Sequence, residues 1–281
     1  MRSRFRSSRT KERRVSVFKR TVSLVILLFF LGSQQLFAQI VAHPGMPASL
    51  QPKVLPSATG VPVVDIQTPS RAGVSRNVYS QFDVQSQGAV LNNSPVQSPS
   101  QLAGVVVGNP WLATTGSAKV ILNEVYSSNP SQLNGMVEVT GRSADVVVAN
   151  PSGITVNGGG FINANRATLT TGVPVLGPNG SIQGYNVFSS AQVQVQGNGL
   201  NTASSDYTDI LSRAALINAN IWANNLTVST GTGIVSADGQ GAWTQQGSAT
   251  GVKPSVSIDT SALGACTRGR FASSARNRAS G

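Results

Sequence analysis

The sequence predicts an all-β chain wound as a right-handed parallel β-helix, a solenoid with an N-terminal cap and protruding β-hairpins, and three observations carry this reading. Short runs of Val, Ile, Leu and Ala recur at close spacing with Gly, Asn, Pro and Ser between them, and beyond residues 212–219 no segment sustains a 3.6-residue period. Two valine-rich runs, Ala103-Gly104-Val105-Val106-Val107-Gly108 and Ala144-Asp145-Val146-Val147-Val148-Ala149, each lead into an Asn-Pro turn. A phrase also repeats: Ile162-Asn163-Ala164-Asn165, leading to Leu169 and Gly172, returns 55 residues on as Ile217-Asn218-Ala219-Asn220, leading to Leu226 and Gly231. Repeated strand-and-corner units of this kind are the signature of stacked coils.

Residues 1–20 carry nine Lys or Arg against the single acid Glu12, and an apolar run at 22–31 follows. That run is shorter than the ~20 residues that span a bilayer, so residues 1–38 read as a signal peptide with an extended basic n-region, cut between Ala38 and Gln39. Residues 39–75 contain Pro44, Pro47, Pro52, Pro56, Pro62 and Pro69, which predicts an extended lead-in and N-terminal cap with one strand at 61–67. Residues 76–263 are the β-helical body. Its expected strands lie at 77–83, 104–107, 119–125, 135–140, 144–148, 154–156, 167–170, 191–195, 226–229 and 256–258. Polar inserts at 91–101 and 174–185 are expected to protrude as hairpins. At ~22 residues per coil the body makes about ten coils and a rod of about 45 Å.

The formal charge of +11 is confined to the two ends: the first twenty residues contribute +8 and residues 264–281 contribute +4, leaving −1 between them. A body so sparsely and evenly charged offers no phosphate-tracking groove, and no nucleic-acid partner is expected. Cys266 is the single cysteine, so no disulfide framework exists. His43 is the single histidine, which leaves a nucleophilic triad without a base. Asp206 and Asp209 sit in a polar stretch and read as solvated; Gly158-Gly159-Gly160 lacks the lysine of a phosphate loop and reads as a corner. No catalytic residue, metal site or cofactor is expected.

The motifs themselves are turns in chemistry. In Asn150-Pro151-Ser152-Gly153-Ile154 the asparagine can bond the backbone ahead of it, proline fixes φ, and glycine serves the exit. Asn109-Pro110-Trp111-Leu112 begins in the same way, with Trp111 expected to be an apolar plug. The stretch from Gly108 to Gly172 that holds both motifs closely resembles the two-partner secretion domain of filamentous haemagglutinins and contact-dependent growth inhibition exoproteins. The family pattern is Asn-Pro-Asn-Leu and Asn-Pro-Asn-Gly-Ile, so Trp111 and Ser152 depart from it while the other seven positions agree. The resemblance implies secretion rather than catalysis. The inner-membrane export machinery carries the chain to the periplasm, an outer-membrane β-barrel transporter with periplasmic domains carries it outward, and the domain nucleates β-helix folding. It further implies a cell-surface or extracellular location, and a host or neighbouring cell surface as the target of a full-length ancestor. The alternatives are a carbohydrate-active β-helix enzyme and a stand-alone exported adhesin. Against the enzyme, Asp65, Asp83, Glu124, Glu138 and Asp145 are scattered singly, with no spacing that pairs two on one face of adjacent coils.

After Gly264 the sequence changes to ACTRGRFASSARNRASG, which is basic, aperiodic and strand-poor. Residues 264–281 therefore read as a frameshifted or truncated end. Inspection of the gene for an open frame continuing in a shifted register decides this.

Overall fold

The computed structural model describes residues 40–238, 241–246, 258–259 and 270–276, all within the compact unit Phe37–Gly281. The expected signal peptide, Ala38, Gln39 and Cys266 lie outside the described residues. Three walls of parallel strands build a β-helix. The first wall stacks Val74–Phe82, Val120–Val125, Ala144–Ala149, Ala164–Thr170, Tyr207–Ser212, Asn225–Gly231 and Arg270–Arg276. The second stacks Pro62–Asp65, Ala89–Asn93, Met136–Gly141, Gly159–Ile162, Leu200–Thr202 and Ile221–Ala223. The third stacks Ser131–Leu133, Ile154–Val156, Gln192–Val195, Ala214–Ile217 and Ile258–Asp259. From Val120–Val125 onward the chain runs from the first wall to the third, then the second, and back to the first.

Period-two alternation fills the interior. On the first wall Ile121, Val146, Val148, Ala167, Leu169, Ile210, Leu226 and Val228 are buried in one continuous core. Their registered neighbours carry the same pattern from coil to coil: Val148 lies beside Leu169, Leu169 beside Ile210, and Ile210 beside Val228. Each fully buried Val, Ile or Leu contributes about 1.5–3 kcal/mol by removal from water. Leu133, Ile154, Val156, Phe161 and Leu200 complete the core from the other walls.

The cap is richer than expected. Besides the predicted strand at Pro62–Asp65, Lys53–Pro56 pairs antiparallel with it, and Ile40–Ala42 pairs antiparallel with Val74–Phe82. Both additions cover ladder edges that a solenoid end exposes. Among the described residues the coils are fewer than the expected ten: seven parallel strands stack on the first wall, and at ~4.8 Å per step they span about 29 Å. Excursions consume the remaining chain: the register step from Ile210 to Val228 is 18 residues, whereas the step from Leu169 to Ile210 is 41. One excursion, Val173–Leu176 with Ile182–Val187, falls where a hairpin was expected. The other expected hairpin is displaced C-terminally to Ser98–Ser100 with Gly104–Val106, because Ala89–Asn93 belongs to the second wall. The two valine runs are thus not equivalent: residues 144–149 are wall, whereas Gly104–Val106 is hairpin with Val105 exposed.

Two further expectations are corrected. Arg270–Arg276 is a strand, registered on Asn225–Gly231 over seven residue pairs, so the basic end is not strand-poor. The repeated Ile-Asn-Ala-Asn phrase occupies different corners: Asn163 lies between second and first walls, Asn218 between third and second. The true counterpart of Asn163 is Asn224. Asn163 Nδ2 donates to Val139 O at 2.8 Å and Gly141 O at 3.1 Å, and Asn224 Nδ2 donates to Ala203 O at 3.0 Å and Ser205 O at 2.9 Å.

Candidate functional site

Asn109 stands where the chain returns from the protruding hairpin to the first wall, and it is completely buried. Its Oδ1 accepts the Trp111 N–H at 3.0 Å, and its backbone carbonyl accepts from Leu112 N at 3.1 Å. These two bonds wind Pro110–Leu112 into one 3-10 turn, with Pro110 at the position whose N–H has no helical partner. Its Nδ2 then donates to Ile66 O at 2.8 Å and Asn92 O at 3.1 Å, which pins the turn to the ends of two second-wall strands. Leu112 enters the main core fully buried. Trp111 is only half-buried and accepts at its carbonyl from Thr68 Oγ1, so the apolar plug of this motif is Leu112 and not Trp111.

Asn150 repeats the geometry at another corner, between the first and third walls. Its Oδ1 accepts from Ser152 N at 2.9 Å, and its carbonyl accepts from Gly153 N at 3.0 Å, closing a four-residue turn. Its Nδ2 donates to Asn129 O at 2.9 Å and Ser131 Oγ at 3.0 Å in the preceding coil. Ser152 adds a bond from Oγ to Ser127 O at 2.8 Å. Gly153 has φ of 115°, a region that side chains with a Cβ rarely enter, and Ile154 is buried between Ser131 and Val193 in the third-wall register. Eight of the nine motif residues thus lie in the two turns and Ile154 opens the third-wall strand Ile154–Val156, and the two motifs sit on different corners.

Residues with the same task went unrecognised in the sequence. Asn93 is completely buried, accepts from Ala118 N at 2.7 Å and donates to Arg142 O at 2.8 Å. Glu138 fixes the protruding hairpin by accepting from Ser100 Oγ, Gln101 N and Leu102 N at 2.6 to 2.9 Å. Both lie inside apolar runs, where an asparagine before a small residue was the one available signal.

The charged residues are engaged in structure. Glu124 pairs with Arg76 at 2.8 Å across adjacent first-wall strands. Asp209, expected to be solvated, is 2% exposed and pairs with Arg166 at 2.7 Å, while Asp206 is exposed as expected. Asp145, Arg166 and Asp209 occupy one outer face on three successive strands, so two acids do share a face, two coils apart with an arginine between them. Burial pushes the carboxyls of Asp209 and Asp145 above the usual range, against the opposing pull of Arg166. Tyr185, buried beside them, is raised by the same desolvation and by both carboxylates. His43 Nδ1 accepts the Gly45 N–H at 3.1 Å, and its ring meets Tyr126 edge-on.

Comparison with known proteins agrees with this architecture. The family profile of the TPS secretion domain matches residues 38–281. The chain is 49% identical to a Toxin CdiA of Yersinia pestis over 247 residues, which is 87% of this chain and 7% of that protein. It is 42% identical to a 16S rRNA endonuclease CdiA of Enterobacter cloacae over 260 residues, 90% of this chain and 8% of that protein. The crystal structure of a filamentous hemagglutinin secretion domain superposes with a TM-score of 0.69 at 32% identity, covering 78% of this chain and 73% of that one. The chain thus spans less than a tenth of the length of these CdiA relatives. A family match over nearly the whole β-helix and both Asn-Pro corners makes this chain a member of the TPS secretion domain family, of the kind found in CdiA and filamentous hemagglutinin exoproteins.

Proposed function

We propose that the domain is the export address of an adhesin or contact-dependent inhibition exoprotein. It presents the chain to an outer-membrane β-barrel transporter through that partner's periplasmic domains and then seeds β-helix folding outside the cell. The observation that supports this best is the family match across residues 38–281 together with the doubled asparagine-anchored turn. Asn109 and Asn150 act first through structure, because each joins a local turn to the preceding coil and leaves no amide donor idle for a partner. The segment 1–38 supplies delivery to the periplasm and is removed after Ala38. Delivery to the cell surface or medium is the outcome; no catalytic step belongs to this domain.

The test is secretion from a Gram-negative host with and without a cognate transporter. Appearance in the medium only when the transporter is present supports the reading, and retention in both cases refutes it. Asn109→Ala and Asn150→Ala chains, compared for secretion and separately for stability, distinguish a folding role from a recognition role. Secretion that tracks stability assigns the motifs to folding, whereas loss of secretion in a stable variant assigns them to the transporter.

A further inference from the structure

Two excursions leave the coils and meet outside them. Val173–Leu176 and Ile182–Val187 follow the first-wall strand Ala164–Thr170, and Gly233–Ser236 and Trp243–Gln246 follow Asn225–Gly231. They join into one four-stranded sheet, because Ile182–Val187 pairs antiparallel with Gly233–Ser236: Gly184 with Ser236, Tyr185 with Val235, Asn186 with Ile234 and Val187 with Gly233. The strand Tyr207–Ser212 lies between the two coils of origin, so this sheet ties together three successive strands of the first wall.

Beneath it is a second core. Tyr185, Val187 and Val235 pack with Val74, Leu122, Val147, Ala149 and Leu211, which point outward from the first wall and share no member with the cluster inside the coils. Buried Asp209 and its partly exposed partner Arg166 lie on the same face. The second excursion is also anchored at its own end, where Trp243 Nε1 donates to Ser229 Oγ at 2.9 Å.

We propose that Gly233–Ser236 is a clasp, which closes over the first excursion and the outer face of the first wall as a step separate from, and later than, the stacking of the coils. Three observations carry this. The ladder of Ala164–Thr170 is complete without either excursion, since its partners are Ala144–Ala149 and Tyr207–Ser212. The outer core, by contrast, needs Val235 on Tyr185, and Gly233 comes 46 positions after Val187. The join itself is a close approach of backbones: a Cβ on Gly184 would lie 2.6 Å from Val235 O, so only glycine permits the pairing. The two cores share no residue, and the excursions pack against the coils on the outer face of the first wall, so the excursions can open as a unit while the coil interior stays packed. For a chain that emerges N-terminus first, the outer face stays uncovered until the clasp arrives; the clasp itself does not depend on the export reading.

Gly184→Val in the full chain jams the seam and leaves the coils untouched, and Val235→Asp opens it from the other side. Hydrogen exchange measured by mass spectrometry reads the result. Amides of 173–187 and 233–236 are expected to exchange at least about tenfold faster in both variants, with 144–149, 164–170 and 207–212 within about twofold of the unaltered chain. Unchanged protection of 173–187, or loss of protection in every strand, overturns the proposal. In pulse-labelled refolding of the unaltered chain, protection of 173–187 is expected after that of 164–170, and simultaneous protection overturns it. Neither outcome alters the secretion test, so the two readings fail independently.

Discussion

A buried primary amide brings two N–H donors and a carbonyl that all need partners, and Asn109 and Asn150 satisfy theirs by joining a local turn to chain laid down earlier. Asn150→Ala is expected to cost about 1–3 kcal/mol in urea unfolding, because the buried Ser131 hydroxyl and the partly buried Ser152 N–H lose their partner. Asn150→Asp keeps the acceptor but sets a carboxylate against the Asn129 carbonyl, so its penalty should exceed that of alanine at neutral pH and shrink in acid. Gly153→Ala meets no close atom, yet is expected to destabilise by about 1 kcal/mol through its φ of 115° alone. The turn chemistry of these residues was legible from residue type and spacing. What could not be read was that Leu112, and not Trp111, enters the core, since either side chain suits an apolar socket.

The carboxyls of Asp209, Asp145 and Asp65 are all raised, chiefly by burial, so the folded state holds their protons more tightly than the unfolded chain does. Their contribution to stability is therefore fully present below the ordinary carboxylate pKa and is lost as pH rises through the raised values. The thermal midpoint should be higher near pH 5 than near pH 7.5, and Asp209→Asn should flatten that difference. A midpoint that climbs from pH 5 to 7.5 contradicts this account.

At the scale of elements, legibility followed the wall. First-wall strands have six or more residues, and those rich in Val, Ile and Leu were foreseen, as at Val120–Val125 and Ala144–Ala149, whereas Tyr207–Ser212 and Arg270–Arg276 were not. The second wall was largely missed, because Gly159–Ile162, Leu200–Thr202 and Ile221–Ala223 have three or four residues each, and the first two bring Gly or Asn into strand positions. Gly160 shows why: a Cβ there would lie 2.3 Å from Asn201 O and 2.7 Å from Met136 Sδ, so the strand reads as a corner in sequence because coils approach closely at it. Gly160→Val is accordingly expected to be far more damaging than Gly153→Ala, forcing two coils apart. Comparison of the two variants by denaturant midpoint checks the order. Leu112→Ala should cost about 2–5 kcal/mol as a fully buried side chain.

For the molecule as a whole, the polar excursions made the coil count unreadable: their residues look like coil in composition but add no rise. The solenoid itself was legible because hydrophobic runs and corners repeat, even though the repeated phrase fell on different corners. A body whose net charge is −1, and whose ion pairs among the described residues include Arg76–Glu124 and Arg166–Asp209, owes its stability to ladder and core. Raising salt from about 0.05 to 1 M should therefore leave the urea midpoint nearly unchanged, whereas a marked fall would assign the stability to exposed charge.

Five amides at or beside the corners also give the fold a direction in time, whereas Asn93 donates forward, to Ala118 O and Arg142 O. The five, those of Asn109, Asn150, Asn163, Asn224 and Asn225, all donate to residues that precede them in the chain, from Ile66 to Asp206. A chain delivered from its N-terminus therefore finds every one of these acceptors already in place when the donor arrives, and each finished turn is the mould for the next. Delivered from the other end, the same chain would hold five amides waiting for partners not yet present.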